Sequence, residues 1–137
     1  MNDFKDAFQF VLKWEGGYSN DSNDPGGETK YGISKRSYPE LDISKLTIKE
    51  AEKIYYENYW IKAGCQHMAF PLNIINFDTA VNMGRKKAEE LWEKTNGDWK
   101  DYLLLRLYTY SKFKQAKLYF RGWANRVLDL YQYIKES

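Results

Sequence analysis

Residues 4–34 read FKDAFQFVLKWEGGYSNDSNDPGGETKYGIS, and this stretch changes character once, at residue 16. Before that point Phe4, Ala7, Phe8, Val11 and Leu12 recur at helical spacing, with Trp14 beside them. Asp3, just upstream, is a residue type that caps helices. The spacing predicts a first helix over residues 3–15 that ends at Glu15, because Gly16-Gly17 breaks it. Residues 16–34 then hold two glycine pairs, Pro25 and several Asn and Asp, a density of turn chemistry that predicts loops and a tight hairpin. Any β-structure in the chain is expected here.

The rest of the chain reads as helices. Thr47-x-x-Glu50 is a capping box, and Ala51, Ile54, Tyr55 and Tyr59 follow it as a stripe to about Trp60. Residues 61–70 read as a connection. Pro71 suits a first helical turn, and Leu72, Ile75, Ala80 and Val81 lie in an apolar helix that stops before Gly84. Further helices are predicted over 85–95, from Gly97-Asp98 to about 113, and from about Lys114 to Ile134. No repeat and no linker interrupts the pattern. The expected fold is mainly α, of an α+β kind: one helical domain over residues 1–137 with a small glycine-rich β-hairpin beside the first helix.

Composition bounds the function. The chain has 137 residues, 24 of them Phe, Trp or Tyr, which is aromatic surface enough for a real core and excludes a low-complexity disordered chain. No stretch approaches the ~18–20 apolar residues a membrane span needs, so no membrane insertion is expected. Net charge is only +2. It is unevenly spread: residues 1–60 carry 8 basic and 11 acidic side chains, net −3, and residues 98–137 carry 8 and 4, net +4. The basic C-terminal part would suit a nucleic-acid binder, but the small net charge and the acidic glycine-rich loop count against it. Cys65 is the single cysteine, so no intramolecular disulfide can form, and it reads as a small buried hydrophobe. With His67 the single histidine, no transition-metal site is expected, and no organic cofactor is indicated. The N-terminus lacks a basic region followed by an apolar one. The expectation is a monomer made in the cytosol that reaches its site of action after export or release.

Glu15 is the residue that suggests chemistry. A carboxyl at a helix C-terminus meets the negative end of the helix dipole, and Trp14 and Tyr18 stand ready to desolvate it. Both effects favour the protonated form that a general acid needs. A second carboxylate on the hairpin, Asp24 or its rival Asp21, could activate a water, and Thr29 could orient it. Two carboxyl groups in opposed settings are the machinery of glycoside hydrolysis. The plainer reading makes Glu15 a polar helix end and Asp24 a turn residue.

The pattern also resembles a family. Glu15-Gly16-Gly17-Tyr18 followed by Asn23-Asp24-Pro25-Gly26-Gly27-x-Thr29-x-x-Gly32-Ile33 is similar to the opening of glycoside hydrolase family 108, lysozyme-like N-acetylmuramidases of phages and bacteria. Asn76-Phe77-Asp78-Thr79-Ala80-Val81-Asn82-Met83-Gly84 resembles the family's second motif, and Phe120-Arg121-Gly122-Trp123-Ala124-Asn125-Arg126-Val127 its C-terminal one. The resemblance implies a lysozyme-like fold and cleavage of the β-1,4 bond between N-acetylmuramic acid and N-acetylglucosamine in peptidoglycan, with Glu15 as general acid. Wider phage-type lysozymes place eight and then five residues between Glu, Asp and Thr; here Glu15 and Asp24 are separated by eight, and Asp24 and Thr29 by four.

Four more residues are candidates for binding the glycan: Tyr18 by stacking, Asp78 as a further acidic group, Asn82 through an acetamido group, and Trp123. For Asp78 a structural carboxylate is the competing reading, and for Trp123 a core aromatic. Arg126 could pair with an acidic residue. Arg85-Lys86-Lys87 reads either as a solvated helix start or as a contact for the peptide carboxylates of peptidoglycan. A second enzyme shares the same Glu, a lytic transglycosylase, which needs no water-activating Asp; a rival from another class is a non-catalytic module for wall binding or secretion, with a dead cleft that does not need Glu15.

Overall fold

The computed structural model describes residues 3–23 and 25–137. Helix α1 spans Phe4–Glu15 and is started by Asp3, whose side chain accepts from the Lys5 N–H at 3.0 Å. It stops because Gly16 takes φ 77°, and the Gly16 N–H closes the last turn on the Leu12 carbonyl. Ala7, Phe8, Phe10 and Val11 form its buried face.

The glycine-rich segment makes a small antiparallel sheet in the order β1 (Tyr18–Ser19), β2 (Thr29–Lys30), β3 (Ile33–Ser34). Tyr18 is opposite Lys30, and Thr29 is opposite both Ser19 and Ser34. Only Tyr31 and Gly32 separate β2 from β3, at φ 53° and 80°, the left-handed pair that a two-residue hairpin turn requires.

Helix α2 (Ile48–Tyr55) begins at the predicted capping box, with both reciprocal bonds between Thr47 and Glu50 in place. It runs on as a π-helical segment, Tyr56–Ile61. Pro71 sits just before α3 (Leu72–Met83) rather than inside its first turn, and the Phe70–Pro71 peptide is cis. Helices α4 (Arg85–Thr95), α5 (Trp99–Ser111) and α6 (Ala116–Glu136) complete the chain.

Helix α3 is the centre. Every residue from Asn73 to Ala80 is buried, and α1, α4 and α5 pack around it. A helix enclosed on all sides needs no polar face. Phe4, Phe8, Tyr55, Trp60 and Phe77 interlock at its first half. The fold is mainly α, as the sequence predicted, and among the described residues the expected hairpin is part of a three-stranded sheet.

Candidate active site

Glu15 closes α1 with a side chain that keeps 22% of its surface exposed. The β2–β3 turn lies against it. A Cβ on Gly32 would fall 2.8 Å from Glu15 Cβ and 2.9 Å from Oε1, and would also overlap the Tyr55 hydroxyl, so only glycine fits. Tyr55 locks the turn by donating to the Tyr31 carbonyl at 2.7 Å. Burial, and then the nearby Glu15 carboxylate, push the Tyr55 pKa up, so its hydroxyl stays a donor.

Glu15 Oε2 accepts from Arg126 Nη1 at 2.7 Å. The same guanidinium donates to Asp78 Oδ1 through Nη2 at 2.8 Å and through Nε at 3.1 Å. Asp78 Oδ2 accepts from Arg106 Nη2 at 2.7 Å. Arg106 continues the chain to the Thr79 hydroxyl at 3.2 Å and the Tyr110 hydroxyl at 3.0 Å, and Tyr110 donates to Asn82 Oδ1. Two carboxylates and two guanidiniums thus alternate without net charge, and the inner three are almost wholly shielded from water. Burial penalises ionised Asp78, but Arg106 and Arg126 outweigh it and hold its pKa below the usual carboxylate range.

This geometry gathers several predicted residues and separates others. Glu15, Asp78 and Asn82 lie on one hydrogen-bonded chain, and Trp123 joins it by stacking on Tyr110 at 4.8 Å between ring centroids. Asp78 has 0% exposure and both oxygens engaged, so its assignment to glycan binding is corrected: it is a structural carboxylate. Tyr18 is exposed on β1 and donates to Glu28. Trp14 turns to Asp129, which accepts from its indole N–H at 2.8 Å. The two aromatics expected to desolvate Glu15 make their hydrogen bonds elsewhere; the Tyr55 hydroxyl meets the Gly32 turn beside Glu15, and Tyr59 packs on Tyr55 with 5.6 Å between ring centroids. Thr29 is half-buried on β2. Asp21 is an exposed turn residue whose carboxylate accepts from the Asn23 N–H at 2.9 Å. Asp24 lies outside the described residues. Cys65 is buried, and burial pushes its thiol up to about 12, which leaves no nucleophile at neutral pH.

The residues that sequence reading missed as parts of the site are Tyr55, Tyr59 and Arg106. The sequence suggests an acidic partner for Arg126, and the structure shows two, Glu15 and Asp78. Gly32 was visible only as a motif glycine.

A model of the family described as Glycosyl hydrolase 108 matches residues 8–84, more than half of the chain. The chain belongs to this family. It is a glycoside hydrolase and, in general terms, a peptidoglycan-hydrolysing glycosidase. No curated protein matches the sequence. Among solved structures, SagA of Brucella abortus shares 22% sequence identity, with a TM-score of 0.83 over 97% of this chain and 94% of that one. That likeness is one of fold. The family match holds the first two motifs, with Glu15 and Asp78. The third, outside residues 8–84, contributes the Arg126 that joins those two carboxylates in this glycoside hydrolase.

Proposed function

We propose that this glycoside hydrolase is an N-acetylmuramidase that cleaves the β-1,4 bond between N-acetylmuramic acid and N-acetylglucosamine, with Glu15 as general acid. The observation that carries the reading is the setting of Glu15, at a helix end beneath a glycine turn. Arg126 fixes Oε2 at 2.7 Å and leaves Oε1 unclaimed by that guanidinium. A protonated Glu15 can still accept from Arg126 through Oε2 while Oε1 carries the proton. That proton passes to the glycosidic oxygen as its bond to the sugar C1 breaks and an oxocarbenium-like state forms. Water then attacks C1 from the opposite face and gives its proton to a second carboxylate, a role we assign to Asp24, with Thr29 orienting the water. The product is inverted in this scheme. Tyr18, Asn82 and Trp123 are proposed to contact sugars. The enzyme is proposed to act as a monomer on the wall after export or release from the cytosol.

Glu15→Gln keeps the side chain's shape and an acceptor for Arg126 but removes the transferable proton. Loss of a general acid lowers the rate about 10²–10⁴-fold. The test is mass spectrometry of soluble products from purified peptidoglycan, with wild type and Glu15→Gln in parallel. Reducing N-acetylmuramic acid ends, lost in the variant, are expected. Anhydro ends would make the enzyme a lytic transglycosylase and remove the need for Asp24. Binding to the wall without release of product would make the chain a binding module.

A further inference from the structure

We propose that a cationic cavity on the Glu15 side of helix α4 binds carboxylates of the peptide stems carried by the glycan strand; this inference rests on the muramidase reading. The cavity measures about 610 Å³, and its walls include Lys62, His67, Arg85, Lys86, Glu89 and Trp92. Lys62, Arg85 and Lys86 make no ion pair among the described residues. The core guanidiniums Arg106 and Arg126, by contrast, are neutralised by Asp78 and Glu15. Three free cations against the single carboxylate of Glu89 leave the cavity attractive to anions.

The position of the cations sharpens the point. Arg85 and Lys86 open α4, where the positive end of the helix dipole favours acidic side chains, yet that first turn has no acidic residue and no side-chain cap. Helix stability does not explain cations there, whereas an anion would be met by the helix end and the side chains together. A guanidinium offers a carboxylate two parallel N–H donors, and Lys62 adds a point charge on the facing segment.

A second hollow extends from the cavity toward the surroundings of Glu15. Lys62 and Arg85 line this hollow of about 390 Å³, together with Tyr38, Asn58 and Tyr59. Tyr59 packs on Tyr55 with 5.6 Å between ring centroids, and the Tyr55 hydroxyl meets the Gly32 turn beside Glu15, so two tyrosines lead from the proposed acid to this hollow. A glycan strand whose linkage lies at Glu15 therefore has a place for a neighbouring stem. Chitin, all N-acetylglucosamine, has neither the lactyl ether nor a stem, so the cavity would add nothing to its binding.

The test measures binding and turnover apart. Calorimetry on the intact protein uses a free stem tetrapeptide and the same peptide with methyl-esterified carboxylates. The expected result is at least about tenfold weaker binding of the ester, weakening of the free peptide with added salt, and a similar tenfold loss in Lys62→Ala/Arg85→Ala. Arg85→Lys should recover part of it. On polymer, the double variant should raise KM for stem-bearing peptidoglycan and leave cleavage of amidase-stripped strands unchanged. Equal binding of both peptides, or binding indifferent to the two cations, overturns the proposal. Failure of the muramidase reading looks different: wild type would release no reducing ends from either polymer.

Discussion

At the scale of the residue, Gly32 governs Glu15. Its φ of 80° and the 2.8 Å gap that a Cβ would leave to Glu15 are two separate constraints. Gly27 has a similar φ of 70° with nothing within 4 Å of such a Cβ. Gly27→Ala therefore meets backbone strain alone, of order 1–3 kcal/mol. Gly32→Ala should cost more, because the turn must also retreat from Glu15 and Tyr55. Urea midpoints for the two variants, set beside their rates of reducing-end release, should show Gly32→Ala losing far more activity. The glycine was legible in the sequence as part of a motif, but the close approach that demands it was not, since Tyr55 comes from a helix 23 residues later. The same limit explains Trp14 and Tyr18: adjacency in sequence placed them near Glu15, and long-range partners, Asp129 and Glu28, claimed their polar atoms.

At the scale of the element, boundaries were legible wherever a local signal sets them. Asp3, Thr47 and Asp98 cap their helices, and Gly16 and Gly84 end theirs. The π-helical run after Tyr55 was not legible, because its aromatic stripe continues the α-helical spacing and packing alone widens the turns. Helix α3 carries almost no periodicity because all its faces are enclosed. The capping box makes a test confined to one element. Thr47→Ala should lower stability by about 1 kcal/mol, read from denaturant unfolding. Hydrolysis below the transition should be retained, since Thr47 lies at the far end of α2 from Tyr55 and Tyr59.

At the scale of the whole molecule, the Glu15–Arg126–Asp78–Arg106 chain ties α1, α3, α5 and α6 together. Nothing local in the sequence announces it, because ion pairing among buried groups depends on which helix faces meet. The acidic first half and basic last segment show only that opposite charges were available. Its pH dependence follows from Asp78, whose folded pKa lies below its unfolded one. That carboxylate contributes stability above the ordinary carboxylate value of about 3.9 and loses it as pH falls through the folded value. Denaturant midpoints should therefore drop steeply below about pH 4. Asp78→Asn should flatten that drop, yet cost about 3–5 kcal/mol at neutral pH, because two buried guanidiniums lose their counter-charge. Glu15 and its cation stand 111 positions apart. A nascent chain thus holds its proposed acid from the first helix onward but cannot complete the centre until α6 has emerged as far as Arg126, its midpoint. A single nick in the turn between α5 and α6 would place the acid and its cation on separate polypeptides, held together only by the packing of the helices.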